Sequence, residues 1–304
     1  MINFKLNVAG IIIAFESDDP SLEYEPMQDD RFRDFVYIGE KPSDVKFRIK
    51  NAKETSQFEG DRKLLFSVEG NWNLYKLNDK LLYEYPERRT GNVERLSLLN
   101  SDMKEGIIYN LKDNGKMGSK DTGKQIMAEI KANFFQVFLL DYLIRYKIGI
   151  LVHSLTLDDN GIKILFMGKT GAGKSTLAKI FSQNQGVHIY NDDRAILKYE
   201  DEGVIFYNAP WTGAYVQGYH PNQMDRFKID KIFFIHHEKD NRLRRLSPQE
   251  ATAFLLRNTF PAFWHREDFM DAVGLAAAIV KKVSCFELGF FNDSRVVEFV
   301  RTNS

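Results

Sequence analysis

Along the first 112 residues, short apolar runs alternate with Gly, Asn and Asp: FKLNVAGIIIAFE, VKFRIKN, LLFSVEG, WNLYKLN, KLLYEY and EGIIYNL. Their length and their β-branched and aromatic content predict strands, and an antiparallel sheet is the simplest arrangement for them. The residues LNDK at 77–80 predict a hairpin turn between two of these strands. No catalytic constellation stands out in this region. A polar stretch with three glycines, LKDNGKMGSKDTGKQ at 111–125, then predicts a linker or exposed loop. The period changes after it. Ile126, Ile130, Phe134, Phe138 and Tyr142 recur every four residues, so a helix is expected from about Lys124 to Lys147, with Gly149 as its stop. The chain therefore reads as a β-rich region, 1–123, and a second domain, 124–304.

In the second domain strands and helices alternate, as in α/β proteins. ILVHSLTL and IKILFMG form two strands joined by DDNG at 158–161. Asp158 and Asp159 could pass for a catalytic pair, but Asn-Gly at the tip marks them as turn residues. A helix follows, then the strand VHIYNDD, the hairpin AILKYEDEGVIFYN and an irregular segment, 209–228. After these come the strand KIFFIHH, helices near 248–258 and 266–282, and a strand near 285–291. A last helix is expected to be capped by Asn292 or Asp293.

Composition narrows the function classes. Lys and Arg number 42, as do Asp and Glu, so no basic face points to nucleic acid or to an anionic membrane. Lys131, Asp141 and Arg145 interrupt the most apolar helix well before the ~20 apolar residues of a membrane span. The first residues carry too short an apolar run for a signal peptide. The one cysteine, Cys285, reads as a small buried hydrophobe, and its solitary state fits a reduced, cytoplasmic setting.

The stretch Gly168, Lys169, Thr170, Gly171, Ala172, Gly173, Lys174, Ser175 and Thr176 satisfies the pattern Gly-x4-Gly-Lys-Ser/Thr. Glycines let such a loop turn tightly and expose its N–H groups, which bind phosphate oxygens together with the positive end of the next helix. Lys174 supplies a point charge for the β- and γ-phosphates, and Ser175 a hydroxyl for Mg²⁺. The flanking strand and helix are the context this reading requires, so ATP with Mg²⁺ is the expected ligand pair.

Lys174 and Asp193 are separated by one helix, one turn and one strand. If that strand runs parallel to IKILFM, a crossover delivers Asp192 and Asp193 beside the loop. One carboxylate can then hold Mg²⁺ and the other can take a proton from an incoming hydroxyl. His153, on the strand before the loop, pairs into the same end of the sheet through the hairpin.

The order of His153, GKTGAGKS and NDDR resembles the kinase domain of HPr kinase/phosphorylase, which is related to phosphoenolpyruvate carboxykinase. The resemblance covers roughly 130–304 by element order, with its specific motifs within 150–213. It implies a mixed sheet with a phosphate loop, a centre built from His153, the loop and the acid pair, Asp193 for Mg²⁺ and Asp192 as base. It also implies a hydroxyl acceptor on a protein or peptide, which the β-rich region would help recognise, and it allows a homo-oligomer. Ser154 stands where the family has Gly, and YNAPWTG at 207–213 stands in place of the downstream signature. The chain thus looks like the divergent HPr-kinase-related proteins, and HPr itself is not implied as its substrate.

Some candidates remain outside these motifs. Trp211 or Tyr215 could stack on adenine or an acceptor. Arg226 could neutralise the transferred phosphoryl group. HHE at 236–238 alternates across a strand, so its members should not converge on one ion. RLRR at 242–245 reads as a solvated loop. A small-molecule kinase acting on a hydroxy amino acid, and a nucleotide-sensing module without catalysis, remain open beside the protein or peptide kinase.

Overall fold

The computed structural model of the chain describes residues 2–19, 22–28, 32–51, 58, 60–69, 71–86, 92–111, 119–211, 225–259, 264 and 266–304. It is a mixed α/β structure in two compact units, Met1–Leu139 and Leu140–Ser304.

The first unit is β-rich, as expected. Its strands are β1 (Asn3–Val8), β2 (Ile11–Glu16), β3 (Val45–Asn51), β4 (Arg62–Val68), β5 (Trp72–Leu77), β6 (Lys80–Pro86), β7 (Val93–Leu99) and β8 (Glu105–Asn110). They form one sheet in the order β1-β2-β3-β8-β7-β6-β5-β4. The sheet is mixed rather than antiparallel, because β3 lies parallel to both β2 and β8. The long stretch between β2 and β3 makes such a crossover feasible, where a short turn could not. FKLNVAGIIIAFE is a hairpin and not one strand: Ala9 and Gly10 both take positive φ, 52° and 82°, the geometry of a tight two-residue turn. Asn78 takes φ 55° at the β5–β6 turn, where LNDK placed it.

The helix expected over 124–147 comes in two pieces. These are α1 (Ser119–Glu129) and α2 (Phe135–Arg145), joined by a π-helical turn, Ile130–Phe134. The wider turn re-aims the apolar stripe. Phe134 and Phe138 both meet Phe47 of β3 edge-on, at 5.1 and 4.9 Å between ring centroids. The compact units divide within α2, beyond the polar segment at 111–125. The helix ends at Arg145, and the terminating residue is Lys147 rather than Gly149. Lys147 takes φ 54°, and Ile148 N–H reaches back to Leu143 O at 2.8 Å, a Schellman-type end.

The second unit holds β9 (Ile150–Asp159), β10 (Ile162–Met167), α3 (Lys174–Ser182), β11 (Val187–Asn191), β12 (Arg194–Glu200), β13 (Gly203–Asn208), β14 (Arg226–Lys228), β15 (Lys231–His237), β16 (Arg242–Arg245), α4 (Pro248–Arg257), α5 (Arg266–Lys281), β17 (Ser284–Phe290) and α6 (Arg295–Asn303). Its sheet runs β14-β13-β12-β9-β10-β15-β17-β16, with β11 also on β9. β10, β15 and β17 are parallel neighbours. They read as continuous apolar runs because both faces are covered. Leu165 and Met167 pack on one side with Leu255, Ala276 and Ile279, from α4 and α5. Ile164 and Phe166 pack on the other with Leu177, Phe181 and Val297, from α3 and α6.

The turn at 158–161 is as the sequence predicts. Asn160 and Gly161 take φ 53° and 91°, and Asp158 Oδ1 accepts the Gly161 N–H at 2.6 Å. Asp158 also ion-pairs with Lys163. Asp159 is nearly fully buried and receives Arg301 of α6 through both Nε (2.9 Å) and Nη2 (2.7 Å). RLRR is the edge strand β16 and not a loop, with Arg244 paired to Glu250 at 2.5 Å and Glu287 at 2.8 Å. Cys285 is buried as expected, and burial pushes its thiol up to about 12. The N-cap of α6 is Ser294 rather than Asn292 or Asp293 and makes no side-chain cap bond; Asp293, one residue earlier, accepts the Arg295 N–H at 3.0 Å. Among the described residues no helix is long and apolar enough to cross a membrane.

Removing the Arg301 guanidinium leaves the buried Asp159 carboxylate without its bidentate partner. Arg301→Ala should lower unfolding stability by about 2 kcal/mol. The urea midpoint reads this, and an unchanged midpoint would contradict the anchoring role given to the pair.

Candidate functional site

The strand β10 ends at Met167 and α3 begins at Lys174, so the glycine-rich loop fills the gap between a central strand and a helix N-terminus. Two of its glycines are demanded by geometry. A Cβ on Gly168 would lie 2.7 Å from Ala172 Cβ and 3.0 Å from Ile235 O. Gly173 sits at φ 101°, where a side chain is strained and would also strike Phe290 at 2.5 Å. Ala172 N–H closes a tight turn onto Lys169 O at 3.0 Å. Lys174 folds back over this loop, and its Nζ donates to Gly168 O at 2.6 Å and to Lys169 O at 3.3 Å. Burial, with help from the Arg194 guanidinium and against the pull of Asp193, lowers the Lys174 ammonium to about 8.

Strand β9 organises the rest. On one side it pairs with β10, Ser154 opposite Met167. On the other it carries β11 and then β12 along the same edge, Asn191 opposite Thr156 and Arg194 opposite His153. β11 is therefore parallel in direction to β10, with β9 between them. Asp192 and Asp193 lie where the pairing breaks, level with the end of β10 and the start of the loop. The register slips between Ile189 and Asn191, a bulge that leaves room for the acid pair. Two hydrogen bonds fix the break: Ser154 N–H to Asp193 O at 2.9 Å and Asp193 N–H to Asn191 Oδ1 at 2.7 Å. Asn191 is held in turn by Asn208, 2.6 Å from its Nδ2. Asp192 is buried and Asp193 is partly open.

His153, Lys174, Asp193 and Arg194 thus form one electrostatic cluster. His153 Nε2 is 3.8 Å from Asp193 Oδ1, and Arg194 Nη1 is 3.3 Å from the same oxygen. Burial, followed by Arg194 and Lys174, lowers the His153 imidazole to about 3. At neutral pH it is therefore uncharged, and its approach to Asp193 is a polar contact rather than an ion pair. The hydroxyl of Ser175 is on the exposed side of the first turn of α3. Among the described residues no group of three His, Cys, Asp or Glu gathers as a ready-made metal site.

Other sequence candidates fall elsewhere. Arg226 is on β14, three strand spacings from β9 or about 14 Å. Its guanidinium is exposed and engaged by Glu200 at 2.6 Å and by Tyr207 Oη at 2.9 Å. Trp211 is buried, and Tyr215 lies outside the described residues. His236 and Glu238 meet at 3.2 Å on one face of β15, whereas His237 points to the other and lies against Gly173. Arg194 and His237 are what the sequence reading missed at this end of the sheet. The only signals for them were adjacency to the acid pair and position at the end of an apolar strand.

No family model matches the chain, and no curated protein matches it. Among solved structures, it is similar to the HPr(Ser) kinase/phosphatase from Coxiella burnetii, at 14% identity and a TM-score of 0.30. That likeness covers 50% of this chain and 94% of the other.

The depressed His153 has a consequence for stability. An unfolded imidazole titrates near 6.5, so between about pH 6.5 and 3 the unfolded chain binds a proton that the folded one refuses. The stability from neutral His153 is complete above pH 6.5 and is lost as the pH falls toward 3. Wild type should therefore lose more stability than His153→Gln between pH 7 and 4.5, measured by urea midpoints at each pH. Equal losses would show that His153 titrates normally.

Proposed function

We propose that the region 124–304 is the phosphotransfer domain of an ATP- and Mg²⁺-dependent kinase, moving the γ-phosphate to a hydroxyl, foremost a Ser or Thr of a protein or peptide. The observation that carries this reading is the shared level of three features at one end of one sheet. The loop with Lys174 follows β10, and His153 and the Asp192–Asp193 break lie alongside on β9 and β11.

In this reading the loop N–H groups and Lys174 hold the phosphates, and Lys174 exchanges its contacts with Gly168 O and Lys169 O for phosphate oxygens. Arg194 adds a second cation beside Asp193, the place for which the sequence had offered Arg226. Ser175 and Asp193 supply oxygen donors, the kind Mg²⁺ accepts along with phosphate oxygens and water. When bound, the ion would neutralise charge on the β- and γ-oxygens. The acceptor oxygen forms a bond to the γ-phosphorus as the bond to the bridging oxygen breaks. Asp192 takes the hydroxyl proton, and ADP leaves. Neutral His153 can orient Asp193 without competing for its charge. The cytoplasmic setting, the peptide-recognising role of 1–123 and self-assembly belong to the same proposal.

Two variants separate holding from chemistry. Lys174→Ala should abolish both nucleotide binding and phosphotransfer from γ-labelled ATP to a Ser/Thr-bearing acceptor. Asp193→Asn should keep ADP binding within a few-fold and drop transfer by at least about 100-fold. Transfer at the wild-type rate in either variant would sink the assignment.

A further inference from the structure

The phosphate chain of a nucleotide has a direction. If its γ end lies toward Asp192, Asp193 and His153, on the β9 flank of the loop, its nucleoside end must leave over the opposite flank. That flank is built by β15 and β17, whose ends reach past β10. Met167 is level with Phe234, and β15 continues from Phe234 to His237, about 10 Å further. The extension forms a wall beside the loop.

An aromatic side chain tops the wall. His237 is exposed, and its ring lies 5.0 Å from that of buried Phe290, at 40°. The two rings crowd the last loop glycine. A Cβ built on Gly173 would lie 2.5 Å from Phe290 Cζ and 2.8 Å from His237 Cε1. His237 is thus seated on a fixed ring, in contact with the loop and open to solvent. Its strand neighbours do not share this position, since His236 and Glu238 turn to the other face and meet each other at 3.2 Å.

We propose that His237 is a platform for the nucleobase of the bound nucleotide, with Phe290 as its support. This rests on the nucleotide reading of the loop and adds where the base lies and what holds it. Stacking on an aromatic face is tolerant of base identity, so purine selectivity over pyrimidine should come from ring area alone.

The test compares ADP with inorganic tripolyphosphate, which carries the phosphates and no base, each titrated with Mg²⁺ onto the full chain. His237→Ala should weaken ADP at least about fivefold and leave tripolyphosphate within twofold. His237→Phe keeps a stacking ring and should restore ADP affinity. Equal weakening of both ligands by His237→Ala would make His237 a phosphate contact and overturn the proposal. So would unchanged ADP binding, or a His237→Phe variant as weak as His237→Ala. If wild type binds neither ligand, the nucleotide reading itself fails and this inference with it, a result distinct from all the others.

Discussion

Ser154 donates its backbone N–H to Asp193 O at 2.9 Å, and that bond keeps β11 and β12 on one edge of β9 across the two aspartates. It bridges the gap between the β11 and β12 pairings and so sets the height of the acid pair relative to the loop. With it, one strand acts as a ruler for everything nearby. Ser154 faces Met167 on one side and the acid break on the other, while His153 faces Arg194. The side chain of Asn191, tied to Asn208, fixes the same break from within. Backbone pairing of this kind costs little adaptability elsewhere, because loops can vary while the register persists.

The electrostatics follow from that placement. Lys174 is buried, Arg194 is partly buried near it, and Asp193 is the carboxylate that offsets both cations. Each cation disfavours the other, and burial, reinforced by both cations, keeps the His153 imidazole neutral. A site with Lys174 lowered to about 8 and folded onto loop carbonyls is strained in charge and satisfied in hydrogen bonding. An anion carrying several oxygens would relieve the first without loss of the second. This is the physical reason to read the cluster as a holder of phosphate rather than as a structural knot.

Much of this unit was legible in the sequence because its signals are local. Loop glycines, the Asn160–Gly161 turn and the apolar runs of β10, β15 and β17 each need only their own residues. What was not legible depends on distant partners. β7, VERLSLL, has helix-like composition and is a strand only because β6 and β8 flank it. The parallel placement of β3 is set by a crossover that no residue announces. Ala9 takes a glycine-like φ because the β1–β2 register imposes it. At the site, Arg194 and His237 gain their meaning from strand pairing, whereas Arg226 loses the role offered to it because β14 is an outer strand held by Glu200.

In the proposed kinase Lys174 exchanges loop carbonyls for a nucleotide's phosphates, which would raise its lowered pKa. Titration calorimetry of MgADP at pH 8, in two buffers of different ionisation enthalpy, tests this without knowledge of the acceptor. With Lys174 at about 8 in the free protein, binding should take up about half a proton, and Lys174→Ala should show neither the uptake nor the binding. Binding with no proton uptake, or undiminished binding in Lys174→Ala, would contradict it.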